Sequence, residues 1–187
     1  MTARDFIPIR PARDLMIPLD SYPHLPDTAT LSDAILAFVG SQIERKGRFS
    51  LPRIVLIIDG ENHLVGQVRR RDILRGLLPD FFTQDESHAL SHFDMELDED
   101  MNLAELFKDG ERQVLSRNAD EPVTRIMRPI ETTVSADADL MELVVKAART
   151  ESHMLPVMDL ENVIGVVRTV EILNQIRRML ELPLTDE

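Results

Sequence analysis

The sequence predicts an α+β protein built from two β-α-β-β-α repeats. Three patterns support this prediction, and each occurs once in each half: a Met-x-Pro segment, a short apolar strand that ends in aspartate, and a glycine-containing strand that leads into a helix. Each repeat covers roughly 60–70 residues, a size at which one sheet buries its apolar face poorly. We therefore expect the two repeats to pack together.

The first elements of the two repeats correspond closely. Residues 14–20 read DLMIPLD and residues 125–131 read RIMRPIE, so both follow the order x-[Leu/Ile]-Met-x-Pro-[Leu/Ile]-acid. Residues 30–36 and 139–145 then begin with Thr30 and Asp139, which are residue types that cap helices, and continue with apolar residues at helical spacing. One helix is predicted at this point of each repeat.

The second part of each repeat predicts two strands and a closing helix. Apolar strands are expected at residues 54–59 and 154–159, each followed by a three-residue turn. The next strands, residues 64–68 and 163–167, contain Gly66 and Gly165. A closing helix is predicted to begin near Asp72 in the first repeat and near Glu171 in the second.

Composition excludes several classes of protein. The chain has 187 residues, of which 43% are hydrophobic, and it contains no cysteine, so disulfides and thiolate metal clusters are excluded. Its longest apolar run, residues 54–58, is far shorter than the roughly 20 residues of a membrane span. The N-terminal residues do not resemble a signal peptide, and we expect a cytoplasmic protein. The net charge of −12 disfavours a general nucleic-acid surface.

The acidity is concentrated in the middle of the chain, where residues 80–121 contain 13 acidic and 3 basic residues. We therefore predict a first repeat at 1–79 with an N-terminal extension, an acidic helical linker or insertion at 80–121, and a second repeat at 122–187 with a C-terminal helix. Such a charge run is typical of a solvated connector.

Two patterns in the middle segment resemble metal sites. Residues 94–105 place acids or amides as a calcium loop does, but Glu99 stands where the loop needs glycine. His88 and His92 have the spacing of two zinc ligands on one helix face, without a third ligand fixed by sequence. A module that responds to divalent metals through residues 85–105 remains an alternative function.

The segments between each glycine and the following acid contain the clearest candidate site. Glycine inside a strand marks a close approach by a ligand or by backbone, and an acid in the first helical turn is favoured by the helix dipole. The dipole does not explain Arg69, Arg70, Arg71 and Arg168. Arginines before a helix N-terminus are favourable where an anion binds. The alternatives are a solvated face, or ion pairs with Asp72, Glu171 or the acidic linker.

In the order of these motifs, the chain resembles a tandem pair of CBS domains, the regulatory modules named after cystathionine β-synthase. The resemblance rests on the Met-x-Pro openings, the strand LPVMD at 155–159, the glycine-to-acid segments and the closing helices, and it covers residues 12–79 and 122–180. It implies two sheets packed against each other about a pseudo-twofold axis, two clefts between the repeats, and a dimer of two such modules.

The resemblance also implies a ligand. Nucleotide-binding members carry a hydroxyl residue near phosphate and, three residues later, an aspartate that holds the ribose; here Arg69 and Arg168 stand at the hydroxyl position. Asp72 keeps the family acid and Glu171 is a longer variant, so we hypothesise a phosphorylated ligand, above all an adenine nucleotide, at the Asp72 site. The candidate ligands are AMP, ADP and ATP, together with S-adenosylmethionine, which has the adenosine but no phosphate. The arginines either reach phosphate or block the cleft by an internal salt bridge. The candidate ligand-binding residues are Gly66, Arg69, Arg70, Asp72, Thr132, Val134, Gly165, Arg168, Thr169 and Glu171.

No catalytic motif occurs in the sequence, which lacks a nucleophile elbow, a phosphate loop and a His-Glu-x-x-His segment. We expect a regulatory sensor that needs no cofactor, not an enzyme, acting on an unidentified protein partner as a homodimer. An apolar stripe on the closing helix is available for core packing or for the dimer contact: Ile172, Leu173, Ile176, Met179 and Leu180. The alternative to the sensor is an adaptor that binds another protein without a ligand.

Overall fold

A computed structural model describes residues 10–45, 48–79, 110–150 and 152–183. The first half contains α1 (Ala12–Leu15), β1 (Ile17–Pro18), β2 (His24–Pro26), α2 (Leu31–Gly40), β3 (Ile43–Arg45), β4 (Arg48–Ser50), β5 (Ile54–Ile58), β6 (Leu64–Arg69) and α3 (Arg70–Leu77). The second half contains α4 (Glu111–Ala119), β7 (Val134–Ser135), α5 (Leu140–Arg149), β8 (Met154–Asp159), β9 (Asn162–Arg168) and α6 (Thr169–Met179). Single 3-10 turns lie at Leu19–Ser21 and Val123–Arg125.

The strands form two main sheets, one for each repeat. The first sheet has the order β2-β5-β6 and the second has the order β1-β9-β8-β7. In each sheet the strand before the repeat's first helix runs parallel to the next strand, and the last two strands are antiparallel. The predicted α+β fold is confirmed, with an unpredicted hairpin, β3–β4, inserted between α2 and β5.

Side-chain alternation along β5 places this strand between two apolar layers. Ile54, Leu56 and Ile58 face the second sheet, where they pack in one cluster with residues of β8 and β9. Val55 and Ile57 face the other way, into a cluster with residues of α2 and α3. All five residues are buried. The second sheet packs in the same manner against α1, α5 and α6, so the two sheets meet face to face.

Each repeat sends its Met-x-Pro segment to the sheet of the other repeat. Strand β1 pairs with β9, with Ile17 opposite Val166 and Pro18 opposite Gly165. In the same way Gln67 of β6 and Arg128 exchange two backbone hydrogen bonds, each 2.9 Å long. We refer to these two pairings as the exchanged segments.

The exchanged segments explain why both strands carry glycine. A Cβ atom at Gly165 would lie 2.4 Å from the Ile17 carbonyl oxygen, and one at Gly66 would lie 2.4 Å from the Met127 side chain and 2.8 Å from the Arg128 oxygen. Real Cβ atoms essentially never approach heavy atoms within 3.0 Å, so any other residue at these positions would force the opposing atoms to shift. The close approach at both glycines is therefore made by protein atoms of the opposite repeat.

Helix α4 is docked on the helices of the first repeat. Asn118 donates to the carbonyls of Leu77 and Leu78 at 3.0 and 3.1 Å, and Ser32 donates to the Ala119 carbonyl at 3.0 Å. The C-terminal part of the segment that the sequence assigns to a linker thus forms hydrogen bonds with α2 and with the end of α3. No helix in the described ranges has the length and apolar character needed to cross a bilayer.

Replacement of Gly165 by alanine is expected to lower the free energy of unfolding by about 1–3 kcal/mol, since the new methyl group must displace the backbone of β1. Urea unfolding followed by circular dichroism measures this change. The matched control is Gly40→Ala at the end of α2, where a Cβ would meet nothing within 4 Å. Equal stability of the two variants would contradict this account of the exchanged segments.

Candidate ligand sites between the repeats

Asp72 lies in the first turn of α3 and connects the two repeats. Its Oδ2 accepts hydrogen bonds from the Arg69 backbone N–H at 3.0 Å and from the Arg69 side-chain Nε at 3.2 Å. Its Oδ1 accepts a bond of 2.7 Å from Nε of Arg128, which belongs to the other repeat. The Asp72 side chain is only 3% exposed. Both carboxylate oxygens are thus held by arginine.

The electrostatics of Asp72 follow from these contacts. Burial acts to raise the pKa of the carboxyl group, but the hydrogen bonds from Arg128 and Arg69 outweigh burial and hold the pKa below its usual value. The group is therefore ionised at neutral pH. It serves as a helix-capping carboxylate and as half of an ion pair across the repeat junction.

The candidate ligand residues Arg70 and Gly66 of the first repeat both contact protein atoms instead of an open cavity. Arg70 donates to the Pro52 carbonyl from Nε at 3.2 Å and from a terminal nitrogen at 2.5 Å. Its guanidinium carbon also lies 6.0 Å from the centre of the Phe38 ring. Arg70 therefore holds the loop before β5 in place by these hydrogen bonds. Gly66 is in contact with the Met127 side chain, as described above.

Arg168 occupies the corresponding place in the second repeat. One terminal nitrogen donates to Glu171 Oε1 at 2.5 Å, and the other donates to the Ser50 hydroxyl of the first repeat at 2.6 Å. The third nitrogen, Nε, is buried, and among the described residues it has no hydrogen-bond partner. An internal salt bridge thus forms in both repeats, which is one of the two alternatives that the sequence leaves open.

A crevice of about 280 Å³ opens between the repeats beside Arg168. We call this cavity the Arg168 crevice. Both repeats line it, and two of its lining residues are arginines, Arg53 and Arg168. The lining residues are Tyr22, Ile43, Ser50, Leu51, Arg53, Ile54, His153, Met154, Arg168, Thr169 and Val170.

Polar groups in the walls of the Arg168 crevice are fixed by hydrogen bonds. The Tyr22 hydroxyl donates to the Ile54 carbonyl at 3.0 Å, and burial raises the pKa of this phenol, so the group is neutral. Thr169 donates to the His153 carbonyl from its backbone N–H at 3.0 Å and from its hydroxyl at 3.3 Å. These bonds hold the start of α6 against the start of β8, and so fix the side of the crevice that carries Arg168.

The corresponding cleft of the other repeat is nearly closed. Thr150 and Met154 stand there in the places of Ser50 and Ile54, and together with Thr132 they line a cavity of only about 10 Å³. Val134 is 1% exposed and packs in the core between the second sheet and its helices. The two clefts are therefore unequal in volume, although the repeats share one topology.

A second pocket of about 280 Å³ lies on the outer side of Asp72, between α3 and the start of the second repeat. We call it the Arg128 pocket; its lining residues are Asp72, Arg75, Gly76, Arg125, Ile126, Met127 and Arg128. Arg75, Arg125 and Arg128 are absent from the residues that sequence reasoning selects. The available signal was the pair of arginines that flank Ile126 and Met127 in the second Met-x-Pro segment.

The described residues contain no group of three or more side chains suited to hold a metal ion. His88, His92 and the calcium-like residues 94–105 lie outside the described ranges. The metal-responsive alternative therefore stays a prediction.

A family model described as CBS domain matches the chain twice, at residues 12–79 and 123–178. These two matches together cover more than half of the chain, and each includes one glycine strand and one closing helix. No curated protein sequence matches the chain.

Solved structures with the same fold support this match. The putative acetoin utilization protein AcuB from Vibrio cholerae is 19% identical, with 96% of this chain and 98% of that chain covered and a TM-score of 0.57. CBSX2 in complex with AMP is 19% identical, with coverages of 91% and 98% and a TM-score of 0.57; CBSX2 has also been solved from Arabidopsis thaliana. CbpB in complex with c-di-AMP is 15% identical, with coverages of 92% and 88% and a TM-score of 0.56. At these identities the similarity concerns the fold.

Replacement of Asp72 by asparagine is expected to lower the free energy of unfolding at pH 7. The folded protein holds the pKa of Asp72 below its unfolded value of roughly 3.9. The stabilisation by the carboxylate is thus complete above that value and is lost as the pH falls through the folded pKa. Urea unfolding from pH 7 to pH 2.5 should show the wild-type and Asp72→Asn curves converging below about pH 4. If the difference in free energy of unfolding between the wild type and Asp72→Asn stayed constant from pH 7 to pH 2.5, the assigned ion pairs of Asp72 would be contradicted.

Proposed function

Since the chain belongs to the CBS-domain family, we propose that it is a regulatory module, without catalytic activity of its own, that binds a phosphorylated ligand in the Arg168 crevice. The ligand class that we favour is an adenosine-type nucleotide. Two structures of this fold, CBSX2 and CbpB, are solved in complex with AMP and c-di-AMP. From these two structures we take only the class of ligand, an adenosine-type nucleotide, and not the identity of the ligand.

The observation that carries the proposal is the buried side-chain donor of Arg168. Its Nε is buried and has no hydrogen-bond partner among the described residues, and it belongs to a side chain that lines a cavity of about 280 Å³. A buried donor without a partner costs roughly 1–3 kcal/mol. A phosphate oxygen in the crevice would remove this cost, and Arg53 supplies a second cation to the same cavity.

The chemistry of the walls fits the rest of a nucleotide. Ile43, Ile54, Met154 and Val170 offer an apolar surface to a base, and Ser50 and Thr169 offer hydroxyl groups. Glu171 is bonded to Arg168 at 2.5 Å and thus lies beside the same cation. At the other site, Asp72 would have to exchange its bonds with Arg69 and Arg128 before it held a ribose.

The regulatory role follows from the position of the crevice. Its walls come from both repeats, and Arg168 itself bonds to Ser50 across the junction. A ligand that binds one arrangement of the repeats more tightly than another shifts the population toward that arrangement. We propose that a protein partner, not yet identified, responds to this shift.

Isothermal titration with AMP, ADP, ATP and S-adenosylmethionine is expected to give saturable binding of at least one of the three nucleotides. Binding of S-adenosylmethionine alone, which carries no phosphate, would contradict a phosphate contact at Arg168. A ligand at about 100 times its dissociation constant should add roughly 2.7 kcal/mol to the free energy of unfolding. For AMP, which carries no diphosphate group, Arg168→Gln should abolish both effects, because it removes the cation and its buried donor.

The control for this experiment is Arg149→Gln, which removes one exposed arginine at the end of α5 and should leave binding unchanged. A circular dichroism spectrum of Arg168→Gln should match that of the wild type. Absence of binding by all four ligands at millimolar concentration would overturn the proposal and favour a ligand-independent adaptor.

We also propose that the module forms a homodimer through its closing helices. The predicted apolar stripe on α6 is divided: Ile172 is buried in the core, whereas 63% of Leu173 is exposed. Leu74 has the same place in α3 and is 65% exposed. Leu74 and Leu173 are thus exposed at equivalent positions of the two repeats. In a symmetric homodimer, the same apolar surface of each copy would form the contact.

Leu173→Glu is expected to convert a dimer into a monomer at micromolar concentration, because it places a charge in the apolar contact. Light scattering coupled to size-exclusion chromatography measures the molar mass. The matched control is Leu160→Glu in the β8–β9 turn, where the leucine is 94% exposed. A wild-type protein that is monomeric at this concentration would contradict the dimer.

A further inference from the structure

We propose that the Arg128 pocket is a separate binding site for a phosphate or diphosphate group. This inference goes beyond the function proposed above, since it involves another cavity, other residues and a ligand that needs no nucleoside. It rests on the charge of the pocket, on the unused donors of Arg128 and Arg75 among the described residues, and on the position of the pocket across the repeat junction.

The charge balance of the pocket is positive. Arg75, Arg125 and Arg128 line it, and among the residues that the structure describes Asp72 is the only carboxylate in its lining. Asp72 is already neutralised by Arg69 on one side and Arg128 on the other. Arg125 also lies 3.9 Å from Glu121, which is outside the lining of the pocket. Among the described residues that line the pocket, three arginines therefore accompany one carboxylate, in a chain whose net charge is −12.

The arginines keep donors available toward the pocket. Arg128 uses Nε for its bond to Asp72, and a guanidinium has four further N–H donors on its terminal nitrogens. Within the described part of the chain these four donors form no hydrogen bond, and 43% of the Arg128 side chain is exposed. A planar guanidinium that is anchored at Nε presents its terminal edge in a fixed direction, which suits the recognition of phosphate oxygens.

Arg75 lies three residues after Asp72 on α3, so the two side chains share one face of the helix. Among the described residues Arg75 forms no ion pair, and it is exposed. Its guanidinium can therefore move to an anion without breaking a contact in this part of the chain. Arg128 and Arg75 approach the pocket from different repeats.

The pocket is built on a rigid frame. The backbone of Arg128 is held by two hydrogen bonds of 2.9 Å to Gln67. Gly76 lets α3 approach residue 126 closely, because a Cβ there would lie 2.5 Å from the Ile126 side chain. The backbone on both sides of the pocket is thus fixed before any ligand binds, which limits the loss of conformational entropy on binding.

The cavity and its lining indicate the class of ligand. Its volume of about 280 Å³ accommodates a diphosphate, and the lining offers arginines rather than aromatic surfaces for a base. Free pyrophosphate and the diphosphate of a nucleotide present the same oxygens, so the shared chemistry is the diphosphate group. An anion in the pocket would connect the two repeats by bridging Arg75 and Arg128.

The test is isothermal titration of the full-length protein with inorganic pyrophosphate at low ionic strength. We expect saturable binding that weakens as salt is added. Arg75→Gln and Arg125→Gln should each raise the dissociation constant roughly fivefold or more. Arg149→Gln, the matched control, should change it less than about twofold, because that arginine lies on α5, away from the pocket. Absence of binding, or equal dissociation constants for Arg75→Gln and the wild type, would overturn the proposal.

The variant Arg168→Gln separates this proposal from the one for the crevice. Pyrophosphate should bind Arg168→Gln as tightly as it binds the wild type, whereas the crevice ligand should be lost. The dissociation constants of ADP and pyrophosphate are then compared in the Arg168→Gln variant. If ADP binds as tightly as pyrophosphate, the ligand is a nucleoside diphosphate. If pyrophosphate binds more tightly, the ligand is the free anion. Loss of pyrophosphate binding in Arg168→Gln would assign the anion to the crevice and overturn the separate site.

Discussion

Backbone hydrogen bonds between the Met-x-Pro segment of each repeat and the glycine strand of the other determine how the two halves are arranged. Ile17 and Pro18 complete the edge of the second sheet, and Arg128 bonds to Gln67 at the edge of the first. At both contacts an added Cβ atom would lie 2.4 Å from the opposing segment and force it to shift, which explains the glycines at positions 66 and 165. Apolar packing between the sheets favours association of the halves, and these bonds fix its register.

The same exchange assembles the candidate sites. It brings Arg128 from the second repeat to Asp72 in the first, and the resulting bond of 2.7 Å sets one wall of the Arg128 pocket. On the opposite side, the salt bridge between Arg168 and Glu171 reaches Ser50 of the first repeat. Each cluster therefore depends on residues of both repeats, and a change in the arrangement of the halves would alter the geometry of both cavities.

Sequence reasoning predicts the fold well because the fold is encoded in local patterns. The alternation along residues 54–58 and the two glycine-to-acid segments indicate strands and helix starts without three-dimensional information. The hairpin β3–β4 was missed because its strands are short and mix polar with apolar residues. The partner of Asp72 was missed because Arg128 is 56 residues away in the chain. The unequal volumes of the clefts depend on packing, which spacing does not encode.

The reciprocal exchange between the repeats has a consequence for how such a protein arises. In a single repeat with this sequence pattern, the free edge of the glycine-containing strand would have no pairing partner. The Met-x-Pro segment of that repeat would likewise have no strand with which to form backbone hydrogen bonds. Two identical copies would satisfy each other by swapping these segments. The smallest self-sufficient unit is therefore the pair, and fusion of two copies into one chain turns a concentration-dependent assembly into an intramolecular one.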